Sequence, residues 1–520
     1  MSARKIGFLI LIVLFAASVE TAWNVREHVD IGPFGCRVMG GRFYGPSWSF
    51  EATGERAVTA SALRLEVENA FGGVSVAKGA SGVVKVRLRK VVFLPTEEKA
   101  KALADRIELR LTGDADLVKV ATNRDELGRH DDVGFETHFE IEAPEGTAVQ
   151  VRSEHGKVEL SEVASADVTA SFDGVTLERV AHDATLEVRH GSVSIERVGG
   201  RLQLSSRHGD VKVAGVSGPA KLELQHGNLG VRETGALEIE HAYGELTAES
   251  VAGDLVVRGQ HAPVTATDVT GRAEVETTFG GVRLERIGGD ARVKAEHGHV
   301  AASDVSGGFS GQTSFDGVEL QRVKGPVELE VKHGGVEAKG LEGGARVRAS
   351  GSDVTLEGFA GVIDVEVERG SARLAPGAPI KADVAASATH GNVSLEVPDG
   401  SAFELEAESR RGQVDAELSG LRAQRDEGRR HGQHVQGRSG AGGPQVRLTA
   451  DGDVSLDARP ARAVSDGAIE KPRVSAAEAP STSAAPSPKA SAAPAAKPSP
   501  TLPAERAPTP KAPENPDATR

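Results

Sequence analysis

Histidine is the residue type in this chain whose spacing could most directly support chemistry. Half of the sixteen histidines recur at one position of a sequence repeat of mainly 18 residues. An imidazole can bind a metal ion, and with a reference pKa of about 6.5 it can gain a proton in mild acid. The histidines of this column are His155, His190, His208, His226, His261, His297, His333 and His390.

Aromatic residues occupy the same column in other repeats, at Phe172, Tyr243, Phe279 and Phe315. A phenyl ring neither binds a metal ion nor moves a proton, so the role common to all members is a stack of flat side chains. We therefore predict a structural ladder, with no catalytic residue, metal site or cofactor. Metal binding by the consecutive histidines and a pH response of stacked imidazoles are the alternative interpretations, although no regular cysteine or carboxylate set completes a metal site.

The elements that must position this column are the coils of a β-solenoid. Val193 and Ile195 alternate with polar residues, as do Leu202 and Leu204, which indicates two short strands in each repeat. Glycine usually follows the ring position and indicates a tight corner, because glycine tolerates a left-handed backbone. The predicted corner glycines are Gly156, Gly191, Gly209, Gly227, Gly298, Gly334 and Gly391.

Self-similarity over the whole series predicts an all-β fold, a single-stranded β-solenoid of about fifteen coils with a β cap at the N-terminal end. The last two steps of the series, to His390 and to Arg411, are 21 residues long. The predicted segments are a signal peptide or signal anchor (1–22), an irregular juxtamembrane segment (23–59), a β cap with one short helix (60–150), solenoid repeats (151–420), a loop (421–445), terminal strands (446–458) and a disordered Ala/Pro/Ser-rich tail (459–520).

The N-terminus predicts export. Arg4 and Lys5 precede an apolar run over residues 6–19, which is typical of a secretory signal and short for a membrane span. The segment is either cleaved or retained as an anchor in the membrane. We expect a periplasmic or cell-surface protein. The single cysteine, Cys36, can form neither an internal disulfide nor a cysteine metal cage.

Composition and motifs argue against several classes of function. The net charge is −14, and a nucleic-acid partner would require a basic surface. We find no Gly-x-Ser-x-Gly elbow, phosphate loop or His-Glu-x-x-His motif. Asp173 and Asp316 are the acids that a polysaccharide-cleaving β-helix could use, but they lie eight coils apart at a turn position.

Two segments carry a resemblance to a known family. They are the Pro-x-Gly entry EAPEGTAVQV at residues 142–151 and NAFGGVSV at residues 69–76, together with the recurring Gly-x-Val coils. Over residues 60–420 the sequence resembles the bacterial domain family labelled "putative adhesin", whose function is unknown. The resemblance implies a β-solenoid and transfers no catalytic residue, and this chain departs from the pattern in its many corner histidines.

The sequence thus favours a non-enzymatic scaffold or adhesin-like interaction protein of the cell envelope, with a glycan or protein partner. Regularly spaced polar side chains on a long solenoid suit multivalent contact. Two alternatives stay open. One is a polysaccharide-active β-helix enzyme, and the other is the envelope sensor of a regulatory pathway.

Overall fold

The computed structural model describes residues 38–39, 42–43, 46–59, 62–127, 134–416, 418, 421–427 and 432–459. The predicted signal or anchor (1–22), Cys36 and the tail beyond residue 459 lie outside the described residues. Within the described part of the chain, no helix is long and apolar enough to cross a membrane.

The N-terminal region is a set of strands with one helix. The elements are β1 (Val38–Met39), β2 (Arg42–Phe43), β3 (Ser47–Ala57), β4 (Arg64–Phe71), β5 (Val74–Lys78), β6 (Val83–Phe93), α1 (Glu97–Ala104), β7 (Leu109–Thr112), β8 (Leu117–Thr122), a 3₁₀ turn (Arg124–Leu127) and β9 (Phe135–Ala143). Helix α1 buries Leu103 and Ala104 against Val92 and Phe135. Lys90 donates to the Ala104 carbonyl at 2.7 Å, and burial lowers the pKa of its ammonium group.

The predicted β-solenoid is confirmed. Fourteen consecutive coils, each of two strands, comprise β10 (Ala148–His155), β11 (Val158–Val163), β12 (Ser165–Phe172), β13 (Val175–Val180), β14 (Ala184–His190), β15 (Val193–Val198), β16 (Leu202–His208), β17 (Val211–Val216), β18 (Ala220–His226), β19 (Leu229–Thr234), β20 (Leu237–Tyr243), β21 (Leu246–Val251), β22 (Leu255–His261), β23 (Val264–Val269), β24 (Ala273–Phe279), β25 (Val282–Ile287), β26 (Ala291–His297), β27 (Val300–Val305), β28 (Phe309–Phe315), β29 (Val318–Val323), β30 (Val327–Val331), β31 (Val336–Leu341), β32 (Ala345–Ser350), β33 (Val354–Glu357), β34 (Ile363–Glu368), β35 (Ala372–Ala375), β36 (Val384–Thr389) and β37 (Val393–Pro398).

Two parallel sheets face each other across the core. The even-numbered strands from β10 to β36 pair in register and form the front sheet, and the odd-numbered strands from β11 to β37 form the back sheet. In one coil Leu202 and Leu204 point inward from the front sheet, and Val211 and Val213 point inward from the back sheet. Each of these side chains is at most 3% exposed, so successive coils stack into one continuous apolar core.

The C-terminal end departs from the order of the sequence. Its strands are β38 (Phe403–Ser409), β39 (Val414–Ala416), β40 (Leu421–Glu427), β41 (Gln433–Ser439), β42 (Gln445–Ala450) and β43 (Val454–Arg459). The coil formed by β42 and β43 lies between β36–β37 and β38–β39. The coil expected at Arg411 therefore does not stack on the coil of His390, because the last strands of the chain lie between them.

The loop predicted over residues 421–445 is wrong. Strands β40 and β41 pair antiparallel, and β41 continues the front sheet beyond β38. The segment is polar because it forms the end of the stack. Val435 is buried there, and most of its described neighbours in sequence are at least partly exposed to solvent. A polar, charged edge strand also discourages pairing with other chains.

A column of residues with a left-handed backbone conformation lies at the end of the back-sheet strands, and it was not predicted from the sequence. Nine non-glycine residues there have φ between 54° and 60°. They are Glu162, Arg179, Arg197, Glu233, Ser250, Asp268, Arg286, Asp304 and Arg322, and Gly215, Gly340 and Gly358 occupy the same column. Several form ion pairs between coils, such as Arg179 with Glu162 at 2.8 Å.

Replacing Arg197 with glycine is expected to stabilise the solenoid by about 0.5–1 kcal/mol, because a left-handed backbone is unfavourable for side chains with a Cβ. Gly215 shows that the column accommodates glycine one coil away. The midpoint of urea unfolding should rise. Lys212→Gly, on an exposed and extended residue of the next coil, is the matched control and should lower that midpoint.

Candidate interaction surfaces

The predicted ring column forms a continuous stack at the corner of the front sheet. Eleven ring contacts with centroid distances of 4.5–5.6 Å join Phe71 to His333. Between Phe172 and Phe315 adjacent ring planes lie within 17° of parallel. Phe71 begins the stack. It was not included in the predicted ring column, although the sequence Phe-Gly-Gly-Val that contains it matches the repeat.

His390 lies outside this stack of described ring contacts. Gly351 and Arg369 occupy the column between His333 and His390, and neither has a ring. The backbone also changes there, because Gly351, Arg369 and His390 have φ of 60–69°. In the earlier coils the positive φ falls one residue later. Gly156, Gly191, Gly209, Gly227, Gly298 and Gly334 have φ of 124–144°, whereas the turn at Gly391 has its positive φ on His390.

The stack exposes ring edges to solvent. Phe172, Tyr243, Phe279 and Phe315 are 43–47% exposed, yet each has a stacked ring on at least one face, and the tilted ring of His155 lies 4.5 Å from Phe172 on its other side. A ligand that stacks on an aromatic ring needs a free face, and neighbouring rings cover those faces. The geometry therefore suits a structural ladder better than a stacking platform for sugars.

The lowered pKa values of two histidines predict that the folded protein loses stability in acid. Burial first, and then the charges of His190 and His226, lower the pKa of His208, while burial lowers the pKa of His241. The unfolded chain, with a histidine pKa of about 6.5, then binds protons before the folded chain does. The contribution of these two histidines to the free energy of unfolding is fully present above that pH and is lost as the pH falls below it.

We expect the melting temperature to be lower at about pH 5.5 than at about pH 7.5, because this interval contains the histidine titration. His208→Phe retains a stackable ring, and His241→Thr matches Thr277 in the same column. Both variants should reduce the difference. His182→Gln, at an exposed site, should leave the difference unchanged. Equal melting temperatures of the unsubstituted protein at the two pH values would contradict this prediction.

No group of three or more His, Cys, Asp or Glu side chains that could hold a metal ion occurs among the described residues. Asp173 and Asp316 have φ of 75° and 80°, so they supply left-handed corners in place of glycine. Both acids therefore serve the corner backbone.

A groove crosses the seven front-sheet strands from β22 to β34. Its volume is about 650 Å³. One wall is formed by the first outward residue of each strand, and the other by the preceding corner, where Gly308, Pro326, Gly343 and Gly344 leave space for it. Val362, on the corner wall, is 59% exposed. At about 4.8 Å per strand the groove extends over about 29 Å, which suits an extended chain.

Eight charged residues line the groove alongside apolar residues and glycines. Arg272 binds Asp254 at 2.8 Å, and Arg346 binds Asp364 at 3.1 Å. The hydrogen bond from Arg272 lowers the pKa of the Asp254 carboxyl group. Sequence reasoning missed this groove, because it depends on small corner residues in several adjacent coils.

The fold and these surfaces define a repeat protein of the β-solenoid class. The family model described as Toastrack DUF4097 matches residues 221–457, from β18 to β43. The predicted resemblance is therefore confirmed for these coils. The comparison with curated proteins found no match.

Two crystal structures were compared with this chain. A "putative cell adhesion protein" from Clostridium sporogenes has 8% identity and a TM-score of 0.14, covering 79% of this chain and 100% of that chain. A "putative adhesin" from Parabacteroides distasonis has 8% identity and a TM-score of 0.15, covering 57% of this chain and 97% of that chain.

Proposed function

We propose that this protein is a non-enzymatic, adhesin-like interaction protein or scaffold of the bacterial cell envelope. The observation that carries the proposal is the groove across seven coils of a regular solenoid. Its charged walls suit an extended glycan or protein segment of the envelope, and many weak contacts in register add up along such a segment.

The N-terminal sequence supports a location in the cell envelope. Residues 1–22 have the pattern of a secretory signal, and the protein would stay attached to the membrane if that segment is not cleaved. The interaction surface would then face the periplasm or the outside of the cell. The net charge of −14 is unfavourable for binding nucleic acid.

The groove chemistry supports binding over catalysis. Glycoside hydrolysis requires a carboxylic acid that remains protonated near neutral pH, and its pKa is therefore raised. The pKa of Asp254 is instead lowered by its ion pair with Arg272. Asp290 accepts a hydrogen bond from the Gly308 amide at 2.8 Å, so it also has a structural partner.

Binding of the tagged full chain to an isolated envelope fraction tests the proposal. Val362→Trp places a large ring in the groove, and Lys212→Trp places the same ring on an exposed part of the back sheet. The first variant should bind about tenfold more weakly, a change of about 1.4 kcal/mol, and the control should bind normally. Unchanged binding by Val362→Trp, or release of sugar by the full chain, would overturn the proposal.

A further inference from the structure

The outward charges of the front sheet are arranged antisymmetrically about one strand. Each strand from β22 to β34 presents three outward side chains, except that the third position of the β30 row, Lys332, directly follows the end of the strand; we call these seven rows the charged face. The central row, on β28, is neutral and consists of Ser310, Gln312 and Ser314. The rows on its two sides carry opposite charges.

The first rows on either side of β28 are complementary at all three positions. The row on β26 is positive, positive and negative, and the row after it on β30 is negative, negative and positive. These rows consist of Arg292, Lys294 and Glu296, and of Glu328, Glu330 and Lys332. The inversion at the third position makes this more than a simple alternation of acidic and basic strands.

The next rows continue the relation. Glu274 and Glu276 on β24 correspond to Arg346 and Arg348 on β32, and the third position is neutral in both rows. One row further out, Arg258 on β22 corresponds to Glu366 on β34. Wherever both residues related by β28 are charged, their charges are therefore opposite, while Asp364 and Glu368 lie opposite the neutral Val256 and Gln260.

We propose that two copies of this chain pack antiparallel through the charged face, about a twofold axis that lies between the copies and runs parallel to β28. In this arrangement each row faces the row on the other side of the central strand, as a twofold interface requires. Six kinds of ion pair then form, each twice. In a parallel arrangement each row would face its own copy with its three positions reversed, so like charges would repel at the second position of each charged row.

The face is flat enough for such packing. Rings at the strand ends stay within 17° of parallel from His261 to Phe315, and the next pair, Phe315 and His333, is inclined by 25°, so the coils turn little over this part of the face. Seven rows and three columns cover about 29 Å by about 20 Å, which gives an interface of about 1,200 Å² in total. That area is at the lower limit for specific interfaces.

Charges within one chain are already partly paired. Lys294 binds Glu276 at 2.6 Å, and Arg348 binds Glu366 at 3.3 Å, and all four side chains are more than half exposed. A second chain would add an opposite charge to each pair and form larger networks. Raising the salt from about 0.1 M to about 1 M shortens the screening length from about 10 Å to about 3 Å and should dissociate the dimer.

Cysteine cross-linking of the full chain tests the geometry, in a background with Cys36→Ser. Gln312 lies in the central row, so Gln312→Cys should form a disulfide-linked dimer at low salt and not at high salt. Ser387→Cys, four rows away on β36, should not cross-link, because it would lie about 38 Å from its own copy. Absence of the Gln312→Cys dimer, or equal cross-linking of both variants, would overturn the proposal.

Charge reversal gives an independent measurement that leaves the groove walls unchanged. The middle column of the charged face is the second outward position of each strand. The double variant Lys294→Glu with Arg348→Glu makes every charged residue of this column acidic from β24 to β34. The double variant Glu276→Lys with Glu330→Lys makes every charged residue of the column basic from β24 to β32. Sedimentation should show that each variant alone dimerises at least about tenfold more weakly, and that an equal mixture recovers dimers. Unchanged dimerisation of either variant, or no recovery in the mixture, would contradict the arrangement. The first column of the charged face is also a wall of the groove, so a second chain would cover it, and envelope binding by the monomeric charge-reversal variants tests the groove separately.

Discussion

Replacing Gly209 with alanine is expected to open the solenoid locally and to cost about 3–5 kcal/mol. The φ of Gly209 is 134°, and an added Cβ would lie 2.1 Å from the carbonyl oxygen of Gly191. That atom belongs to the backbone of the preceding coil, so no side-chain movement relieves the contact. The amide of Gly209 also donates to the His226 carbonyl at 3.1 Å.

Urea unfolding followed by far-ultraviolet circular dichroism measures this loss. Gly230→Ala is the matched control, because its Cβ would have no neighbour within 4 Å and its φ is not positive. It should change stability by less than about 1 kcal/mol. Equal unfolding midpoints for the two variants would show that the corner does not require glycine.

Phe309→Ala is expected to cost about 3–5 kcal/mol, because it leaves a cavity in the narrow core. Phe309 is 2% exposed, and its ring fills the space left by Gly311, whose added Cβ would lie 2.8 Å from the Phe309 ring. The preceding coil has the opposite arrangement, with Ala291 and Val293 at these two positions.

The double variant Phe309→Ala with Gly311→Val is therefore expected to recover most of the lost stability. Gly311→Val alone should also be destabilising, since the valine would overlap the phenyl ring. A double-mutant cycle from urea unfolding should give a coupling of about 2 kcal/mol between the two positions. Additive effects would mean that the two side chains do not fill a common space.

The regular part of the fold could be predicted because each repeat column has one physical role. Alternating residues such as Val193 and Ile195 specify strands, and glycines such as Gly209 specify corners. These local rules recur in each coil, so the solenoid follows from the sequence without knowledge of long-range contacts.

Features that depend on contacts between distant coils could not be predicted. Insertion of β42–β43 before β38–β39 contradicts the order of the chain, and long-range pairings such as that of Val446 with both Val384 and Leu405 reveal it. The left-handed column was missed because arginine and aspartate, as at Arg286 and Asp268, are not specific signals for that backbone. The groove required the combined effect of small corner residues in separate repeats.

Photo-cross-linking in the native cell tests the central claim most directly, since it examines location and groove contact together. A photoreactive amino acid at Val362 lies in the groove, and the same residue at Lys212 on the back sheet is the control. The proposed function predicts adducts of the full chain with envelope glycan or envelope protein from position 362 and not from position 212. Adducts only with cytosolic proteins, or equal adducts from both positions, would contradict an envelope interaction protein that binds through its groove.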